Sequence, residues 1–160
     1  MPVTRLLYRS DSELTGSDRA VRESALAIAD ASRLRNARDD VSGGLMFAGG
    51  VFVQLLEGDG PAVEATFERI CRDGRHRRLQ LLDFSITDER AFASWQMVAF
   101  EGDAHARSLF PSLAEATSFN QRNRMSANTV IALMQTLLAK RTTRPRMPGV
   151  NWMVATGVME

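Results

Sequence analysis

Residues 51–58 read VFVQLLEG, an apolar run with one amide, Gln54, set inside it. A run of this length bounded by turn residues predicts a buried strand. It follows VSGGLMFA and a Gly-Gly pair at 49–50, so the stretch from Val41 to Gly58 predicts a strand, a tight turn and a second strand. Upstream, VTRLLY (3–8) alternates as a strand and SDSELTGSD supplies turn residues. Ser17 then caps a helix through RAVRESALAIADASRL, with Val21, Ala25, Ile28 and Ala31 or Ser32 on one face. Asp59, Gly60 and Pro61 open a second helix, because proline suits the first helical position; its stripe is Val63, Thr66, Phe67 and Ile70. A basic loop, RDGRHRR (72–78), precedes a fourth strand, LQLLDFSIT (79–87), and a fifth falls near 93–100 around SWQMVAF.

The order β-α-β-β-α-β-β predicts an α+β, ferredoxin-like sheet with an added fifth strand and two helices on one face. Beyond residue 101 the texture changes. HARSLFPSLAEAT reads as a short helix, and Ser126 caps a clearer one, ANTVIALMQTLLAK, with Val130, Leu133, Met134, Leu137 and Leu138 on its apolar side. The tail RTTRPRMPGVNWMVATGVME has no period. The division is therefore a core over 1–100 and a C-terminal helical extension and tail over 101–160.

Successive strand residues point to opposite faces. Phe52, Gln54 and Leu56 share one face of the third strand, Leu6 and Tyr8 one face of the first, and Trp95 and Met97 one face of the fifth. If these are the helix-covered faces, Tyr8, Gln54, Trp95 and Met97 converge beneath the helix pair. A buried carboxamide carries two donors and an acceptor, and leaving them unpaired costs about 1–3 kcal/mol. Tyr8 is one candidate partner. Two readings stand at this point: an ordinary core glutamine satisfied by tyrosine and backbone, or an amide that reads a bound polar heterocycle.

Composition removes several function classes. Twenty basic residues nearly balance nineteen acidic ones, for a net charge of +1, which argues against nucleic acid or an acidic membrane as partner. Cys71 is the single cysteine, so no disulfide forms within the chain. No long apolar span or leader pattern is visible, and the expectation is a cytoplasmic protein. His76 and His105 lie too far apart, with one cysteine, for a zinc site. There is no Gly-rich phosphate loop. Glu57 and Asp59 form no interpretable acid/base pair, and Ser10, Ser32 and Ser42 have no histidine near them in sequence to activate a nucleophile. The reading is not an enzyme. The Arg72–Arg78 stretch suits either phosphate or solvent.

Five separated segments carry a resemblance: LLYRS (6–10), ASRLRNARDDVSGGLMF (31–47), FVQLLEG (52–58), VEATFERICRDGRH (63–76) and RAFASWQM (90–97). Together they resemble the BLUF family of blue-light sensors using FAD, as a short single-domain type. The resemblance implies a flavin between the two helices, FAD or alternatively FMN or riboflavin. It implies Tyr8 beside the flavin as electron and proton donor, Gln54 as the switching amide, and Trp95 and Met97 as the mobile pair. Cofactor contacts are implied for Ile28, Ser32, Arg35, Asn36, Gln54, Arg69, Ile70, Asp73, Arg75 and His76. Arg35 stands where relatives often carry Asn or His, and Asp40, Val41, Ser42 and Gly43 stand where Gly-Ile-Thr-Gly is common. The implied output is a contact with a downstream effector protein and with further copies of the chain. The competing expectations are a pigment-free ferredoxin-like binding module and a flavin-dependent enzyme.

Overall fold

A computed structural model describes residues 2–93, 97–102, 104–110 and 127–142. The elements are β1 (Val3–Ser12), α1 (Asp18–Arg38), β2 (Ser42–Ala48), β3 (Val51–Gly58), α2 (Gly60–Cys71), β4 (His76–Thr87), β5 (Val98–Glu101), α3 (Ala104–Leu109) and α4 (Ala127–Thr142). The strands form one sheet in the order β4-β1-β3-β2-β5. β3 pairs antiparallel with both β1 and β2, β4 antiparallel with β1, and β5 parallel with β2. This is the expected ferredoxin-like arrangement with its added strand.

Strand parity sorts the apolar residues into two cores. Leu6, Tyr8, Phe52, Leu56, Met97 and Ala99 pack with Ala25, Ile28 and Ala29 of α1 and Val63 of α2. Leu7, Val51, Val53, Leu55, Phe92 and Val98 pack with Val130, Ile131, Met134 and Leu137 of α4. α4 therefore covers the sheet face that α1 and α2 leave bare, and burying each such side chain stabilises by about 1.5–3 kcal/mol.

Local chemistry sets the element ends. Ser17 Oγ accepts the Ala20 N–H at 3.2 Å and starts α1. At the other end Asp40 N–H reaches Ala37 O at 3.4 Å and Val41 N–H reaches Asn36 O at 2.8 Å. With Asp40 at φ 53, this is the paired closure that usually uses glycine, and it leads the chain directly into β2. Gly49 and Gly50 have φ 56 and 80, the left-handed pair that a tight hairpin between twisted strands requires. At Gly43 an added Cβ would lie 1.9 Å from Leu55 O, so β2 and β3 approach there only without a side chain.

Four boundaries differ from the pattern. α1 runs on past Leu34 to Arg38. β1 runs on to Ser12. β4 begins at His76, inside the basic stretch, because on this edge strand Arg77 and Arg78 project outward and pair with Glu13 and Asp11. β5 starts only at Val98, since residues 91–93 form a turn and Met97 precedes the strand. α3 spans Ala104–Leu109, and α4 matches its predicted range closely. Trp95, Ser126 and the tail from residue 143 lie outside the described residues. Among the described residues, no helix is long and apolar enough to cross a membrane.

Candidate functional site

β1 and β3 stand in a register that places Tyr8 directly opposite Gln54. Both side chains lie on the α1/α2 side, and both are buried. The Tyr8 hydroxyl donates to Gln54 Oε1. The other end of the amide, Nε2, donates to Met97 Sδ at 3.5 Å. One carboxamide thus links the phenol of the first strand to the residue that leads into β5. Burial pushes the Tyr8 phenol far above its ordinary pKa, helped by the nearby Cys71 and Asp73 groups. The phenol gives up a proton only to a specific acceptor.

Above this floor a cleft opens between α1 and α2, roughly 560 Å³ of empty space when the adjoining open solvent is counted. Its walls are built alike from the two helices. α1 presents Ile28 and, one turn on, Ser32, whose hydroxyl donates back to Ile28 O at 2.8 Å. α2 presents Thr66, which donates back to Ala62 O at 2.8 Å, and Ile70 one turn on. Both hydroxyl protons are committed to backbone, so their oxygens face the cavity as acceptors. Asn36 sits in the last turn of α1, buried, where the helix closure fixes its backbone.

The mouth is cationic. Arg35, Arg69, Arg75 and His76 line it, with Asp73 as the one carboxylate among the lining residues. Arg75 Nε donates to both Asp73 oxygens, at 2.9 and 3.0 Å. That guanidinium holds the Asp73 carboxyl down to about 2. Arg69 lies 3.8 Å from Asp39 and 3.5 Å from Thr66 Oγ1. Burial lowers the His76 pKa below its usual 6.5; Asp73 opposes that fall and Arg75 adds to it.

All ten residues expected to contact a cofactor line this one cavity, together with Ala31, Leu45 and Thr66, which the sequence reading did not place there. Leu45 was reachable from parity, since it lies opposite Gln54 on β2. Thr66 falls in the α2 apolar stripe by spacing, yet it lines the cavity. Met97 is at the floor, and Trp95 lies outside the described residues. One expectation needs correction. Ser10 does have a histidine partner: its Oγ lies 2.8 Å from His76 Nδ1, across 66 residues of sequence. The hydroxyl is buried and does not line the cavity, so the contact fixes the His76 ring and leaves no exposed nucleophile. That ring also packs on Phe52 at 4.8 Å and edge-on to Tyr8 at 6.2 Å. Glu57, dismissed as an acid/base candidate, is a wholly buried carboxylate with a full set of donors.

The donor set fits a flat, uncharged heteroaromatic with an anionic tail. Two isoleucines offer apolar walls, Asn36 and Gln54 offer amides at the inner edge, and guanidinium groups wait at the mouth. Among the described residues no group of three His, Cys, Asp or Glu side chains is placed to hold a metal ion.

Comparison with known proteins points the same way. The family model described as "BLUF: Sensors of blue-light using FAD" matches residues 3–98. The blue light- and temperature-regulated antirepressor BluF of Escherichia coli (strain K12) is 34% identical over 105 residues, 66% of this chain and 25% of that protein. The photoactivated adenylate cyclase subunit beta of Euglena gracilis is 30% identical over 125 residues, 76% of this chain and 14% of that protein. The chain thus spans a quarter or less of the length of these curated relatives. Among solved structures, the dark state of the BLUF protein BlrB is 28% identical with a TM-score of 0.63, over 87% of this chain and 96% of that one. The photo-activated state of BlsA is 26% identical with a TM-score of 0.66, over 92% of this chain and 100% of that one.

Proposed function

The chain belongs to the BLUF family of blue-light sensors using FAD, and from that premise we propose that it is a photoreceptor holding a flavin, FAD, non-covalently between α1 and α2. One observation carries the reading: Tyr8, Gln54 and Met97 form a single buried hydrogen-bonded series whose central amide, Gln54, lines the cavity. Ile28 and Ile70 would hold the two faces of the ring, and Asn36 and Gln54 its polar edge. Arg35, Arg69, Arg75, Asp73 and His76 would meet the ribityl and phosphate end, with Ser32 offering its hydroxyl oxygen along the wall.

A bound flavin supplies blue-light absorption and, when excited, an acceptor for one electron and one proton. The residues of the chain supply the rest. Tyr8 is the donor. Burial makes a bare phenolate costly, so its electron leaves together with its proton, and the atom facing that proton is Gln54 Oε1. Once that hydroxyl no longer donates, only the weak N–H contact to Met97 Sδ holds the amide in its first orientation. Turning it over, or changing its tautomer, exchanges donor for acceptor at both ends. The end facing Met97 is the informative one. With Nε2 there, an N–H points at sulfur; with oxygen there, two acceptors meet and the contact is given up.

Met97 precedes Val98, whose side chain lies on the opposite sheet face among Phe92 and Met134 of the α4 core. A displaced Met97 therefore moves a residue that α4 packs on. Residues 1–100 would act as the sensor and 101–160 as the output, a switched surface for a separate effector protein or a second copy. The electron and proton return to Tyr8, so only the arrangement of the Gln54 amide is left changed: the result is a shift between two populations of one protein, with no substrate consumed. The relatives named as cyclases support an effector downstream of such a domain.

The test is the visible spectrum of flavin-loaded protein before, during and after blue light. The expected result is a flavin spectrum that moves to the red and returns in darkness. Protein that stays colourless after flavin loading overturns the proposal, and bleaching that requires an added reductant or substrate favours a flavin enzyme.

A further inference from the structure

Glu57 presents an unusual arrangement three residues from Gln54 on the same strand. Its carboxylate is wholly buried, on the α4 side of the sheet, while Gln54 faces the cavity. Oε1 accepts the Ala91 N–H at 2.9 Å and the Arg5 Nε–H at 3.2 Å. Oε2 accepts the Phe92 N–H at 3.0 Å. Two consecutive backbone amides are thus held by one side chain, six and five residues before Met97. Arg90 secures the same segment from its other side, donating to Asp40 O at 2.9 Å, Asp40 Oδ2 at 3.0 Å and Ser42 Oγ at 3.2 Å. Phe92 is then packed beside Gly44 with Val98 and Met134.

Met97 is therefore reached from two sides. After it, β5 is fixed by pairing with β2 from Gly44↔Val98 onward. Before it, the chain is fixed at Ala91 and Phe92 by Glu57. The Gln54–Met97 contact is a single weak N–H to sulfur bond and cannot itself hold a chain segment in place. We propose that Glu57 is a positioning residue of the photoswitch: by anchoring the Ala91 and Phe92 amides it presents Met97 to Gln54, and it keeps that end of the segment still when the Met97 end is released. This rests on the photoreceptor reading for its purpose, but the anchor itself is testable in darkness and without flavin.

A carboxylate offers acceptors at both oxygens, whereas a glutamine at the same site offers one acceptor and turns N–H donors toward the second amide or toward Arg5. Glu57→Gln conserves shape while breaking half of the anchor. In the full chain, amide exchange at Ala91 and Phe92 is expected to quicken at least tenfold, and the Met97 methyl resonance to shift and broaden, with α2 amides unchanged. In light-cycled protein the dark recovery is expected to change severalfold while the red shift itself persists. Faster exchange at Ala91 and Phe92 with an unmoved Met97 methyl overturns the positioning role and leaves Glu57 a purely structural group. Unchanged exchange overturns the anchor. Should Glu57→Gln fail to fold, Arg90→Gln loosens the same segment from the more exposed side, and the same two dark-state readouts decide. Because both are read without light, an absent photocycle would count against the photoreceptor reading alone.

Discussion

The Tyr8–Gln54 bond makes a quantitative prediction about stability that needs no light. Tyr8 is fully buried, so Gln54→Leu leaves its hydroxyl with no acceptor and no access to water. An unmade buried hydrogen bond costs about 1–3 kcal/mol. Tyr8→Phe makes the reciprocal error, leaving Gln54 Oε1 without its donor at a similar cost of about 1–3 kcal/mol. The double variant removes both groups. Nothing polar is then stranded at that position beyond Met97 Sδ, which loses one weak donor, and replacing both partners by apolar groups of like shape is nearly neutral. The cycle is therefore expected to be strongly non-additive, with the double variant more stable than the sum of the singles by about 2–6 kcal/mol. The assay is urea unfolding of flavin-free protein at neutral pH, since bound flavin would add its own stabilisation. Additivity within about 0.5 kcal/mol would refute the claim that these two groups satisfy each other.

Two further predictions concern groups the mechanism does not consume. His76 has a folded pKa depressed below 6.5, so the unfolded chain binds the proton more readily. Its contribution is fully present above pH 6.5 and is lost as pH falls through the folded value. Wild type should lose urea resistance between pH 7 and pH 5 more steeply than His76→Gln; equal slopes would remove His76 as the cause. Asp73, held near 2, titrates below that window and does not confuse it. Gly43→Ala should prevent folding or lower stability by several kcal/mol, because its Cβ would lie 1.9 Å from a backbone oxygen, an overlap beyond ordinary overpacking costs of about 1–3 kcal/mol. Gly44→Ala meets the flexible Met134 Sδ at 3.4 Å and should be tolerated; circular dichroism melts of the two variants distinguish these outcomes.

Much of this arrangement is legible in the sequence, for a physical reason. Alternation with period two puts Tyr8 and Gln54 on one face of their strands, and helix caps and the Gly-Gly turn mark where the chain reverses. The cavity walls follow because Ile28 and Ser32, and Thr66 and Ile70, recur one turn apart on two helices covering the same sheet face. What periodicity cannot supply is register and distance. That Tyr8 stands opposite Gln54, and not two residues along, is fixed only by pairing of β1 with β3. The Ser10–His76 contact spans a fold-dependent gap between β1 and an edge strand whose basic residues look like a loop. Glu57 was visible as a second polar residue in VFVQLLEG. Its role was not, because its partners are backbone amides, which any sequence contains. The late start of β5 is not legible either, because the apolar residues of the turn at 91–93, and Met97 just before the strand, look the same as strand residues.

The central claim is that the amide of Gln54 is the element that switches. It is tested most directly by the light-minus-dark absorption spectrum of flavin-loaded Gln54→Leu beside wild type. The expected result is that the variant binds flavin, since Ile28, Ile70 and Asn36 remain, yet shows no reversible red shift. A red shift of normal size and dark recovery in Gln54→Leu would contradict the account.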